Sequence, residues 1–142
     1  DFKKLGTVMY NNGSLDTHPD SDYAVVKLDE SISVGENIYS GDIWTSPRKV
    51  NIGDKMCSFG AKSNMKYCGY VTDVHDNYVN GDINTGGVSG DSGGPAWIEG
   101  KGFIGVYSAV SEGITTFTYP KDIASEYGAR KSILDNIKDL LK

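Results

Sequence analysis

The stretch of this chain best equipped for chemistry is Gly90-Asp91-Ser92-Gly93-Gly94-Pro95. A serine hydroxyl is a weak nucleophile. To attack an amide it needs a neighbouring base and a place for the negative charge that develops on the carbonyl oxygen. Glycines on both sides let the backbone turn tightly and let a substrate approach with no Cβ in the way. In such a turn the N–H groups of Gly90 and Ser92 can point to one spot, which is the requirement for an oxyanion hole. A plain Gly-rich turn is the competing reading. Phosphate cradling is disfavoured, because the stretch from Gly86 lacks a Gly-Lys-Ser/Thr ending and precedes a strand-like run rather than a helix.

Cys57 and Cys68 are the two cysteines. They flank a Gly/Ser/Asn-containing middle that reads as a hairpin turn. If the turn centres between Lys62 and Ser63, the two cysteines face each other across the strands. Facing residues of an antiparallel pair lie roughly 4.5 to 5.5 Å apart at Cα, within disulfide reach. A cross-strand disulfide and two buried free thiols are the two readings. A bridge implies an oxidising compartment, most simply secretion. Two cysteines without suitably spaced histidines do not make a zinc site, and His75 lies beyond the second cysteine in an unsuitable spacing. No local carboxylate cluster calls for another metal, and no cofactor is expected.

The elements that must carry these residues are short strands. Apolar runs recur at Leu5 to Tyr10, Tyr23 to Leu28, Lys55 to Gly60, Tyr67 to Val74, Ala96 to Glu99, Phe103 to Val110 and Thr115 to Tyr119. Gly, Asn, Asp or Pro clusters separate most of them, so an antiparallel barrel or sandwich is expected. The 18 glycines among 142 residues, well above an average usage near 7 %, fit a turn-rich all-β chain. Residues 33 to 48 read as a connection. Only the end of the chain is convincingly helical, with Ser132 and Asp135 as a capping pair and Ile133, Leu134, Ile137, Leu140 and Leu141 on one face. The length is that of one ordinary domain. A net charge of -5 with scattered Lys and Arg argues against nucleic-acid binding. No apolar stretch is long enough to span a bilayer as a helix. Asn12-Gly13-Ser14 fits a glycosylation acceptor as well as a plain turn.

The hexapeptide around Ser92 resembles the nucleophile motif of the chymotrypsin-like (trypsin-fold) serine proteases, and further segments agree. Asp22-Tyr-Ala-Val-Val-Lys-Leu resembles the family's catalytic-aspartate motif, so the resemblance implies that Asp22 orients the base. The Cys57 to Cys68 hairpin followed by Gly69-Tyr-Val-Thr is similar to that of the bacterial branch that includes alpha-lytic protease and the streptogrisins. Phe103 to Val110 resembles the strand that pairs with substrate, with Ser108 touching the aspartate. The implied fold is a double antiparallel β-barrel. Residues 1–32 would be the last strands of the first barrel, 33–48 the connection, 49–130 the complete second barrel and 131–142 a C-terminal α-helix. The implied activity is hydrolysis of polypeptide substrates through an acyl-enzyme on Ser92, with Gly90 and Ser92 N–H groups as the oxyanion hole.

The general base of that family is what the chain does not supply in its usual place. Only His18 precedes Asp22, inside Asp16-Thr-His-Pro-Asp, and both it and His75 read as exposed loop histidines. The favoured expectation is that the histidine comes from an N-terminal segment upstream of or separate from this chain, which alone would be nearly inactive. A catalytically inactive, protease-like binding module is the main alternative, and a substituted mechanism using His18 a third. By resemblance the primary pocket lies between Gly86 to Ser89 and Ser108, Ala109 and Val110. Gly86 stands six residues before Ser92, where trypsin-like members carry an Asp. Tyr107 stands where glutamate-specific members carry a His. Both departures point to an apolar or small P1 side chain, with Glu112 the one nearby acid. Asp91, partly buried beside the oxyanion loop, is expected to need a counter-charge. Ser58 stands where bacterial relatives often carry an Arg, so the expected partner is another cation or a free amino terminus in the missing segment.

Overall fold

The computed structural model describes residues 3–11, 22–35 and 43–120. His18, the Asn12 acceptor and the helix expected at 131–142 lie outside the described residues. The described chain is all-β, apart from one turn of 3-10 helix at Pro47–Lys49. Strands β1 (Gly6–Asn11) and β2 (Ala24–Leu28) form a two-stranded antiparallel sheet with Gly6 opposite Leu28 and Asn11 opposite Ala24. The other six are β3 (Lys55–Gly60), β4 (Met65–Val74), β5 (Tyr78–Gly81), β6 (Pro95–Ile98), β7 (Gly102–Ser111) and β8 (Ile114–Thr118). They close into an antiparallel barrel in the order β3-β4-β5-β8-β7-β6.

Closure leaves the barrel no open edge, so each strand satisfies its main-chain groups on both sides. The core comes from the inward positions of nearly every strand: Met56, Val71, Val79, Ile104, Tyr107 and Phe117 among them. Phe117 is fully buried and meets Tyr107 edge-to-face at 5.8 Å. The polar groups of Thr115 and Tyr107, which enter this core, are bonded there. Thr115 Oγ1 donates to the Ile83 carbonyl at 2.7 Å, and the Tyr107 hydroxyl shares a 3.1 Å hydrogen bond with Thr85.

The hairpin register follows from the turn. Gly60 pairs with Met65 and Cys57 with Cys68, which centres the turn between Lys62 and Ser63. Asn64 closes it with φ 54, a left-handed conformation that Asn adopts more readily than most residues. The cysteines are bridged, with their Cα atoms 4.1 Å apart, and the free-thiol reading is thereby excluded. The bridge closes a short chain loop, and its loss is expected to cost about 3 kcal/mol through the entropy of the unfolded state. Urea unfolding of a Cys57→Ser, Cys68→Ser double variant against the oxidised chain measures this.

One strand was not anticipated from the sequence. Tyr78–Gly81 is absent from the apolar runs of the sequence, since it is four residues long and only Val79 is strongly apolar. Its place in the sheet is set by neighbours on both sides, Val74 opposite Val79 on β4 and Phe117 opposite Val79 on β8. His75 occupies the turn between β4 and β5, exposed, with its ring stacked on Tyr78 at 4.2 Å.

Candidate active site

Strand β7 is the element that assembles the candidate site. At its middle, Tyr107 pairs with Phe117 while Ala109 pairs with Thr116, so Ser108 is an extra residue in the ladder. A bulge of this kind bends the strand and re-aims a side chain. Here Ser108 Oγ donates to Asp22 Oδ2 at 2.7 Å, joining positions 86 residues apart in sequence. Asp22 lies just before β2, half-buried, and is followed by the buried Tyr23.

The same strand holds the loop that carries Ser92, the candidate nucleophile. The Gly93 N–H donates to the Tyr107 carbonyl at 2.9 Å, and the Tyr107 N–H donates to the Gly94 carbonyl at 2.8 Å. Consecutive residues of β7 thus anchor Ser92's loop through the main chain and Asp22 through a side chain. A cleft of about 390 Å³ lies between them, lined by Asp22, Tyr23, Ala24, Ser92, Gly93, Val106 and Tyr107. That space exceeds the need of an imidazole ring. Among the described residues the only histidine is His75, and its contact is with Tyr78 rather than with the cleft.

The loop itself alternates between engaged and open amides. The N–H of Asp91 donates to Val88, that of Gly93 to Tyr107 and that of Gly94 to Asp91. Among the described residues no acceptor takes the N–H of Gly90 or Ser92. Gly90 and Gly93 carry φ values of 102 and 86, so the loop needs a residue without Cβ at both places. Two donors left open beside an exposed serine are what an oxyanion would bind.

Gly86 and Ser89 are exposed on the approach to this loop, and Ala109 and Val110 are exposed on β7. The two segments come together at Gly87, where an added Cβ would sit 3.6 Å from Val110 Cγ1. Glu112 is exposed at the tight β7–β8 turn.

Asp91 corrects one expectation. It is buried, yet neither a cation nor an amino terminus meets it among the described residues. Its Oδ1 accepts the main-chain N–H groups of Lys62 and Ser63, at 3.0 and 2.9 Å. The β3–β4 turn does what a counter-ion was expected to do, because two amide dipoles aimed at one oxygen stabilise its charge. Nothing in the sequence marks these donors, since every non-proline residue carries one. The Ser63 and Lys62 N–H bonds hold the Asp91 carboxyl below its usual range despite burial.

Among the described residues no group of three His, Cys, Asp or Glu is placed to hold a metal ion, and no helix is long and apolar enough to cross a membrane. The Ser108 to Asp22 bond has a measurable structural share. A hydrogen bond to a charged group contributes about 1.5 to 3 kcal/mol, so Ser108→Ala is expected to lower stability by an amount at or below that range. Chemical denaturation checks this. No family model matches the chain, and no curated protein matches it.

Proposed function

We propose that this chain carries the nucleophile, the orienting aspartate and the oxyanion donors of a chymotrypsin-like serine endopeptidase. Its general base is a histidine on an N-terminal segment upstream of or separate from residues 1–142. The supporting observation is that Asp22, held by the Ser108 hydrogen bond, lines the same cleft as Ser92. Residues far apart in sequence meet there in the arrangement that the motif resemblance implies.

In this mechanism Ser92 Oγ attacks the carbonyl carbon of a peptide bond while the histidine takes its proton. Asp22 holds the imidazole and stabilises its charged form. The Gly90 and Ser92 N–H groups bind the oxyanion. The C–N bond then breaks as the imidazolium protonates the leaving amine, which leaves an ester on Ser92. Water, deprotonated by the same imidazole, hydrolyses that ester and restores the serine. The primary pocket is formed by Gly86, Ser89, Ser108, Ala109 and Val110. With no acid at Gly86 and the Tyr107 hydroxyl already engaged by Thr85, it suits a small or apolar P1 side chain.

The β1–β2 sheet fits the end of a first barrel. Leu5, Val8, Met9, Val26 and Leu28 are all exposed on or beside it. A second, largely apolar cleft of about 300 Å³ runs past Val25, Val26, Trp44 and Phe103 next to the site. Additional strands would cover this surface. The Cys57–Cys68 bridge suits an oxidising, extracellular setting.

The alternative is a binding module of the same fold with no catalysis. Intact Asp22 and Ser92 motifs weigh against it, since a dead site needs neither. The test is acid quenching of the protein, histidine-bearing segment included, during turnover of an activated peptide ester. A mass shift on the proteolytic fragment holding Ser92 supports the endopeptidase. An unmodified Ser92 on a protein that still binds peptide supports the binding module.

A further inference from the structure

The loop that carries Ser92 has two flanks. On one, Gly93 and Gly94 are bonded to Tyr107 of β7, the strand that also carries Ala109 and Val110. On the other lies the β3–β4 turn, and the side chain it lays against the loop is that of Lys62. An added Cβ on Gly90 would sit 3.0, 3.2 and 3.7 Å from Lys62 Cβ, Cγ and Cδ, so the aliphatic stem runs along Gly90. Gly90 has a φ of 102, a conformation that favours glycine, so the shelf beneath the stem stays free of a Cβ.

The stem starts from a fixed backbone. The Lys62 N–H donates to Asp91 Oδ1 at 3.0 Å, and the Gly60 to Met65 pairing and the Cys57–Cys68 bridge hold the strands on either side of the turn. Lys62 itself is exposed, so a packed stem presents its ammonium, two bonds beyond Cδ, to solvent. The acids of the site are engaged elsewhere. Asp91 accepts main-chain amides, Asp22 accepts from Ser108, and Glu112 sits at the β7–β8 turn. The ion pairs among the described residues join Lys66 to Glu99 and Lys101 to Asp54, and none takes Lys62. A cation therefore stands beside Gly90 with no carboxylate of the described chain to neutralise it.

We infer that Lys62 is a specificity-determining residue whose ammonium selects substrates with an acidic side chain immediately after the scissile bond. This rests on the proposed role of Ser92 and extends it to the leaving-group side. In the proposed site the P1 side chain is met by the pocket between Gly86 and Val110, and the scissile carbonyl by the Gly90 and Ser92 N–H groups. The flank left for the departing residue is the one that Lys62 occupies. The net charge of -5 repels acidic peptides in general, so the preference belongs to this one position and not to the whole surface. An exposed ion pair is worth about two- to fivefold, and salt screens it.

Acyl transfer isolates this side of the site. The protein, histidine-bearing segment included, is acylated on Ser92 by an activated peptide ester, and glutamyl-, glutaminyl- or lysyl-glycinamide then competes with water. The amine nitrogen attacks the ester carbonyl, the bond to Ser92 Oγ breaks, and the imidazole passes the amine's proton to Oγ. The ratio of new peptide to hydrolysed acid reads each amine's capture. At about 0.01 M salt the glutamyl amine is expected to be captured about two- to fivefold better than the glutaminyl one and the lysyl amine worse, with the differences fading by about 1 M. Lys62→Met keeps an unbranched stem and the main-chain N–H and is expected to abolish the preference, while Lys62→Glu turns it toward the lysyl amine. A glutamyl to glutaminyl ratio near one in the native protein overturns the inference whether or not the variants fold. So does a preference that survives in Lys62→Met, or a loss there shared equally by all three amines, which would set the ammonium on the oxyanion instead. Failure of Ser92 to acylate sinks the endopeptidase and this role with it, whereas acylation followed by indifferent capture sinks only the role of Lys62.

Discussion

Ser92→Ala is expected to lower kcat of the proposed endopeptidase by about 10⁶-fold while changing KM little. The open amides of Gly90 and Ser92 and the cleft beside them do not depend on the hydroxyl, so substrate binding survives its removal. What disappears is the covalent route. The nucleophile and its base act as a unit, and loss of either leaves only about 10³ to 10⁴-fold catalysis over water from the oxyanion donors and binding. Steady-state kinetics on a peptide substrate reads this directly. A loss confined to KM would move Ser92 from the chemistry to the binding surface.

The second large effect is expected at Asp22. Asp22→Asn keeps the side-chain shape and can still accept from Ser108, so the fold and the 2.7 Å contact are retained. In the proposed mechanism it can no longer stabilise an imidazolium or hold the imidazole in the productive tautomer. That loss is worth about 10⁴-fold in kcat. Ser108→Ala, by contrast, leaves the carboxylate in place and is expected to cost far less activity than Asp22→Asn. The contrast separates a charge that acts on the reaction from a hydroxyl that positions the charge. Equal losses at both residues would show that orientation of Asp22, rather than its charge, limits the rate.

Much of this geometry was legible in the residues, and the exceptions share a cause. The hairpin register could be read because a turn centred on Lys62 and Ser63 leaves one partner for each cysteine. The barrel strands with clear apolar alternation, β3 and β7 above all, were visible to within a residue or two. Strand β5 was not, because its inclusion is decided by β4 and β8 rather than by its own four residues. The bulge at Ser108 escaped for the same reason, since a slip in register belongs to a pair of strands. The anchor of Asp91 escaped because its donors are main-chain amides, and a search for a cationic side chain looks past them. The meeting of Asp22 with Ser108 came from the motif resemblance. Nothing in local periodicity brings positions 86 residues apart into contact.

The most direct test of the proposed division of the active site is labelling by a fluorophosphonate probe, which modifies a serine only when a base activates it. The chain is incubated with the probe alone and after addition of the histidine-bearing segment, and the modified residue is located by mass spectrometry. Labelling of Ser92 in the combined sample and not in the chain alone is the predicted result. Labelling of the chain alone would place a base within these 142 residues, and no labelling in either sample would contradict the enzyme and leave a binding module.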